Sequence, residues 1–199
     1  MAYLPSNTRF PLTLVYKNTR HQNDILSLRG VNMQKKTIGA LLSKFHHVCV
    51  IVKDIDEAVE YYEALGIGPF QSSNLVHIDR KLYGKPAPTG VKNIVKATNL
   101  GPIGIELIQP VSGESPVKKF LDDRGEGISH IAFIVDDIKE ATSIMIEAGF
   151  KVISSSNNQG GGGMAFFDTD KVGGVQIELE ELPPHLYEDP YWGLKPWGK

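Results

Sequence analysis

Short apolar, β-branched blocks give way to helical periodicity at two places in the chain, and the two places match. Residues 47–67 read HVCVIVKDIDEAVEYYEALGI and residues 130–150 read HIAFIVDDIKEATSIMIEAGF. At a constant offset of 83, eight of the 21 positions are identical, from His47/His130 to Gly66/Gly149, with no gap. A repeat of this kind organises everything around it. The runs VCVIV and IAFIV predict buried strands. Asp54 and Asp137 stand where a helix N-cap is expected, with Glu57 and Glu140 three residues on. Gly66 and Gly149 then predict helix ends in the left-handed conformation that glycine adopts cheaply.

Further strands are expected after each copy, over roughly 67–78, 91–98 and 103–109 in the first and 150–154, 164–168 and 173–180 in the second. Both copies end on Ile-Glu-Leu, at 105–107 and 177–179. Ser115-Pro116 predicts the start of a short helix between them. The fold class expected is α+β, with two tandem βαβββ modules; if their sheets curve toward each other, a curved, mostly antiparallel sheet surrounds a cleft. Residues 44–113 form the first module, and residues 114–182 the linker helix and the second.

Side chains alternate across a strand. Val48, Val50 and Val52 are expected to face the helices, leaving His47, Cys49 and Ile51 on the other face. The same alternation turns Ile131, Phe133 and Val135 toward the helices and His130 away. Ile105, Leu107, Ile177 and Leu179 pack inward, so Glu106 and Glu178 also point to the face that helices do not cover. Two imidazoles and two carboxylates at repeat-equivalent positions suit one divalent metal ion, with positions left for oxygen ligands. His47, Glu106, His130 and Glu178 are the expected metal ligands. The donor set does not choose among cobalt, manganese, nickel, zinc and magnesium. Any one of them alone would read as a polar residue on a solvated sheet face; the symmetry of four is what favours metal. His46 alternates to the helix side and is expected at a strand end. Glu180 shares the face of Glu178 and is its rival. Cys49 reads as core filling, and His21, His77 and His185 show no partner pattern.

Composition narrows the function classes. The net charge of −2 is uneven: residues 1–44 carry seven Lys/Arg against Asp24, and the rest carry 14 basic against 22 acidic residues. A body that acidic does not fit nucleic acid, which needs a clustered basic surface. No apolar run approaches the roughly 18 residues of a membrane span. The single cysteine allows no internal disulfide and fits a reducing compartment. The basic residues 1–43 are expected to be a dispensable extension, which places the protein in the cytoplasm, or a presequence, which places it in the mitochondrial matrix. Residues 183–199, with Tyr187, Tyr191, Trp192 and Trp197, form an aromatic, Pro-rich tail suited to surface packing. The Gly160–Gly163 run is no phosphate loop, because no Lys-Ser or Lys-Thr follows it. It is expected to be a flexible loop beside the cleft.

FHHVCVIVKDIDEAVEYYEALG, IELIQPVSGESPVKKFLDDRGEGISHIAFIVDDI and GGVQIELEEL resemble the vicinal oxygen chelate superfamily, most closely its methylmalonyl-CoA epimerase branch. The resemblance covers about residues 44–182 and places the family's ligands on the same His47, Glu106, His130 and Glu178. It implies a metal-dependent epimerase or isomerase, a small carbonyl or thioester substrate and a homodimer. The chemistry implied is removal of a proton next to a carbonyl, with Glu178 or Glu106 as the base. A glyoxalase-type lyase acting on a thiol adduct would use the same step. A metal-free binding protein of the resistance type is the alternative outside enzymes. Two carboxylates argue against an extradiol dioxygenase, which keeps one. Asp168-Thr169-Asp170 departs from the His-Pro-Lys that epimerases tend to carry.

Overall fold

The computed structural model describes residues 38–187. The basic head before Ile38, and Tyr191, Trp192 and Trp197 of the tail, lie outside the described residues. The first module runs β1 (Phe45–Ile51), α1 (Ile55–Ala64), β2 (Gln71–Ser72), β3 (His77–Leu82), β4 (Lys85–Pro86), β5 (Lys92–Leu100) and β6 (Ile103–Ser112). After α2 (Pro116–Arg124), the second runs β7 (Gly127–Ile134), α3 (Ile138–Glu147), β8 (Val152–Asn158), β9 (Gly163–Phe167) and β10 (Gln176–Glu181). None of the described helices is long and apolar enough to cross a membrane.

All ten strands join one sheet in the order β2-β5-β6-β1-β7-β10-β9-β8-β3-β4. Only β1–β6 and β7–β10 are parallel pairs, so the sheet is mostly antiparallel as expected. The repeat is visible in the order: β2-β5-β6-β1 runs outward to inward, and β7-β10-β9-β8 mirrors it. The two halves meet where β1 pairs antiparallel with β7. β3 departs from the expected single strand over 67–78. It leaves its own module and pairs with β8 at the far end of the second. Laid flat, the eight strand steps from β2 to β3 would separate them by about 38 Å. Residues 73–76, the whole connection between them, reach at most about 18 Å. The sheet must therefore curl until its ends approach, which makes an interior.

The helix caps follow the repeat. The Asp54 side chain accepts from the amides of Asp56 and Glu57, and Asp137 accepts from those of Lys139 and Glu140. Each helix ends on a left-handed glycine, Gly66 and Gly149, whose following residue donates back to the helix, Ile67 to Tyr62 and Phe150 to Met145. A further tie was not foreseen. The first amide of α1, on Ile55, donates to Gln109 Oε1, and that of α3, on Ile138, donates to Glu181 Oε2. Gln109 and Glu181 each follow the glutamate of the closing strand by three residues, so each helix start is tied to the strand that carries that glutamate.

The outer face packs as the alternation requires. Val50, Val52, Ile105 and Leu107 meet α1, while Ile131, Phe133, Val135, Ile177 and Leu179 meet α3. The inner face is less open than expected. Val117, Phe120 and Leu121 of α2 pack on Cys49, Ile51 and Ile108, closing part of it with an apolar cover. Ser115 caps α2 by accepting from Lys118, as the Ser-Pro pair requires. The glycine run, expected as a flexible loop beside the cleft, is a packed hairpin turn between β8 and β9. Gly162 has φ +73°, and a Cβ there would collide with the Glu181 carbonyl.

Candidate active site

His47, Glu106, His130 and Glu178 come from β1, β6, β7 and β10, the four adjacent central strands. The curl turns their inner faces toward one another, and the four side chains converge. The Nε2 atoms of His47 and His130 lie 3.3 Å apart. His47 Nε2 stands 3.7 Å from Glu106 Oε2 and 3.5 Å from Glu178 Oε2. His130 Nε2 stands 3.6 Å and 3.1 Å from the same two oxygens. All four residues are buried, with Glu106 the most exposed at 9%. They line the floor of a cavity of about 1200 Å³.

Two bulges set the histidines. Between Phe45 and His47, β1 advances two residues while β7 advances one, from Phe133 to Ala132, so His46 is the extra residue. Between His130 and Ile128 the extra residue is Ser129 on β7. Each bulge breaks the alternation one residue before a histidine, and the residue it re-aims touches that histidine. His46 Nδ1 is 3.0 Å from His47 Nδ1, and Ser129 Oγ is 3.0 Å from His130 Nδ1. His46 thus lies against His47 and not toward the helices, a correction that alternation alone could not supply. Glu180 faces inward beside Glu178 as expected, but it stands behind His46, at 3.6 Å from its Nδ1. Cys49 is fully buried in the apolar cover, as core filling.

Electrostatics distinguish the two histidines. Burial drives the His47 imidazole down to about 3, with Glu106 only partly offsetting it, so His47 is neutral. Burial also works against a charge on His130, but the Cys49 sulfur and the Glu178 carboxylate reverse the sign and hold it well above its usual value. Burial pushes the Cys49 thiol to about 12, so it is uncharged near neutrality and the carboxylates are the partners that count. Burial raises Glu106 in turn, yet the hydrogen bond and charge of His130, with His47, leave it below the ordinary carboxylate range.

The donor set fits a divalent cation. Burying two carboxylates costs several kcal/mol each unless positive charge compensates. A charge on His130 answers only one of the two, and among the described residues neither carboxylate is paired with a lysine or arginine. Nitrogen and oxygen donors about 2.1 Å from one ion stand roughly 3.0–3.4 Å apart. The observed separations lie close to that range. Gly104, the β6 partner of His47, supports the geometry: a Cβ there would come 2.9 Å from the Cβ of His47.

His77, for which the sequence suggested no role, lies on the cavity wall. Asn158 points its amide nitrogen at the Glu181 carbonyl, 3.2 Å away, so its Oδ1 faces His77 Nδ1 at 2.9 Å. Nδ1 is then the donor in that contact, and Ser156 Oγ stands 3.1 Å from the same nitrogen. Nothing in the repeat marks His77, because β3 has no counterpart in the second module. Asp170, in the segment that replaces the epimerase His-Pro-Lys, lies 3.6 Å from Arg124 of α2, whose guanidinium also donates to the Gly174 carbonyl.

Residues 46–167 match the family described as the glyoxalase/bleomycin resistance protein/dioxygenase superfamily. The mitochondrial methylmalonyl-CoA epimerase of Bos taurus is 28% identical over 144 residues, which span 70% of this chain and 75% of that protein. The ethylmalonyl-CoA/methylmalonyl-CoA epimerase of Cereibacter sphaeroides is 27% identical, over 71% of this chain and all of its own length. Among solved structures, methylmalonyl-CoA epimerase from Mycobacterium tuberculosis superposes with a TM-score of 0.53 at 26% identity, covering 73% of this chain and 92% of its own.

Proposed function

Because the chain belongs to the glyoxalase/bleomycin resistance protein/dioxygenase superfamily, we propose that it is a metal-dependent epimerase that removes and returns the proton next to a thioester carbonyl. The observation that carries this reading is the convergence of four buried donors on the floor of a cavity of about 1200 Å³, with each imidazole Nε2 3.1–3.7 Å from the other and from both carboxylates. Relatives named as acyl-CoA epimerases support the substrate class. His47, Glu106, His130 and Glu178 would hold a divalent ion, which would supply Lewis-acid stabilisation of negative charge on a carbonyl oxygen.

The chain's own residues do the rest. Glu106 is held ionised, and Glu106 and Glu178 are the two groups on the floor able to accept a proton from carbon. His47, kept neutral by burial, offers a lone pair and not an acid. Phe166 meets the His130 ring edge to face at 4.8 Å between centroids and shields it. Ile108 and Met164, both lining the cavity, keep its wall apolar and strengthen the electrostatics of the floor.

The test is hydrogen exchange. Protein loaded with cobalt or manganese is incubated with methylmalonyl-CoA in heavy water, and the hydrogen next to the thioester is followed by NMR. Metal-dependent exchange is the expected result. An ion bound at one per chain with no exchange would discard this substrate and move the search to glutathione adducts.

A further inference from the structure

The central strands make the floor of the cavity, and its wall carries a cation that the proposed proton transfer does not use. Five Lys/Arg residues line the cavity: Arg80, Lys92, Lys119, Arg124 and Lys151. The last four are exposed, and Lys119 and Arg124 are paired with Asp123 and Asp170. Arg80 alone of the five is half-buried, and among the described residues its side chain has no carboxylate or other polar partner. A guanidinium stays charged at every pH the protein meets. Taking that charge partly out of water without a partner costs free energy and calls for a reason.

The backbone of β3 is bent to place it there. From Ile78 to Lys81, β3 advances three residues while β8 advances two, from Asn157 to Ser155, so one residue is extra. Regular alternation from His77, which lines the cavity, would turn Asp79 and Lys81 inward. With the bulge, Arg80 and Leu82 line the cavity instead, and Asp79 and Lys81 are exposed. Bulges re-aim side chains in this way beside active sites. Asp79 carries the distortion, with φ +51°, in the left-handed region that is uncommon for residues with a Cβ. Its carboxylate accepts from Asn157 Nδ2 at 3.1 Å, so it is held by β8 and does not neutralise Arg80.

A register row connects this wall to the floor. Glu178 pairs with Phe166, Phe166 with Ser154, and Ser154 with Leu82, the next inward residue after Arg80. Three strand steps make about 14 Å along the sheet, and the curl shortens the path through the cavity. A molecule whose carbonyl sits on the floor therefore has Arg80 within reach of its other groups. On the reading above that the floor takes a thioester carbonyl, we propose that Arg80 determines specificity by binding an oxyanion of the substrate. That oxyanion is a carboxylate on the acyl group or a phosphate on its carrier, since a planar guanidinium presents paired N–H donors that match either. Leu75 and Leu82, on the same wall, supply the apolar surroundings in which such a pair is strengthened.

The test reads binding apart from turnover. Its probes are the methylmalonyl and propionyl thioesters of coenzyme A and of N-acetylcysteamine. The coenzyme A esters carry phosphates, the methylmalonyl esters carry a carboxylate, and propionyl-N-acetylcysteamine has neither. Dissociation constants are measured by calorimetry on the full chain for wild type, Arg80→Gln, Arg80→Lys and the exposed control Lys92→Gln. Arg80→Gln should weaken the anionic thioesters by roughly 10–100-fold, the range for losing a hydrogen bond to a charged group, and leave propionyl-N-acetylcysteamine unchanged. A loss shared by the two methylmalonyl esters assigns the acyl carboxylate, and one shared by the two coenzyme A esters assigns the carrier phosphate. Arg80→Lys should recover only part of the loss, because it keeps the charge without the fork. Lys92→Gln should lose less than Arg80→Gln.

Affinities for every probe within about twofold of wild type in Arg80→Gln would overturn the site. So would an equal loss for propionyl-N-acetylcysteamine, which would make Arg80 a structural residue. A wild type that binds no anionic thioester more tightly than this neutral one would overturn it as well. Hydrogen exchange separates this inference from the reaction it rests on. If exchange is absent while Arg80→Gln still loses the anionic thioesters selectively, the epimerase reading falls and the oxyanion site stands. Exchange with unchanged affinities keeps the reaction and removes the site.

Discussion

The two modules agree in the caps, stops, ties and bulges of the scaffold and differ in what surrounds the four donors. Both have an aspartate cap, a glycine stop, a strand tie at the first helical amide and a bulge before the histidine. Around the donors the pairs diverge. The residue beside Glu106 on the next strand is Ala97, and the one beside Glu178 is Phe166. The parallel-strand partner of His47 is Gly104, and that of His130 is Gln176. Ile108 answers to Glu180, and His46 to Ser129. A scaffold repeated twice delivers a symmetric floor, and unlike residues surround it.

The largest effect is expected where the halves are alike. Glu106→Ala and Glu178→Ala should each lose tight metal binding and lower the exchange rate by about 10²–10⁴-fold, the range for losing a positioned base. Equilibrium dialysis for metal and NMR for exchange check this. Full metal occupancy in Glu106→Ala would remove that residue from the floor and leave the site one-sided.

Next comes a position where the halves differ. Gly104→Ala should push the His47 backbone away from β6, because the new methyl would meet the His47 Cβ at 2.9 Å. A displacement near 1 Å at a reacting centre costs about 10²-fold. The equivalent Gln176→Ala removes side-chain atoms without adding any beside His130. It should change the exchange rate far less, and equal losses in the two variants would show that the close approach at Gly104 is not what seats His47.

What could be read from the sequence followed from periodicity. The offset of 83 located the strands, caps and stops, and the matching Ile-Glu-Leu endings singled out two carboxylates. The four expected donors meet in the structure for that reason. Three features escaped. A bulge adds one residue without changing composition, so alternation sent His46 to the wrong side. β3 pairs with β8 because the sheet curls, a long-range event that local pattern does not encode. The apolar stripe of α2 could not say which face of the sheet it would cover. His77 was passed over for the second of these reasons: its partners, Ser156 and Asn158, are about 80 residues away in sequence.

Acid should act on the Asp137 cap of α3. The amides of Glu140 and Lys139 donate to the Asp137 carboxylate and hold it below its usual value of 3.8. A carboxyl depressed in the folded state contributes stability above its unfolded value, and that contribution disappears as the pH falls through the folded one. Asp137→Asn should therefore flatten the loss of stability below about pH 4 and leave its slope near neutrality unchanged. Urea unfolding at a series of pH values measures this. An unchanged acid slope would mean that the cap carboxylate titrates alike in the folded and unfolded chain.

The smallest effect is expected from making the two helix ties identical. Gln109 and Glu181 accept the same bond, from Ile55 and Ile138, at 3.0 and 2.9 Å. Glu181→Gln keeps an oxygen for the amide and removes only the charge at the start of α3. A carboxylate near a helix N-terminus contributes about 0.3–1 kcal/mol, so the variant should lose no more than that. The reverse change, Gln109→Glu, should gain a similar amount at α1. For a chain of this length each kcal/mol moves the melting temperature by roughly 2–4 °C, and added salt should shrink both shifts. A loss in Glu181→Gln that salt does not touch would place the value of the tie in its hydrogen bond, and the two modules would then be equal in this respect as well.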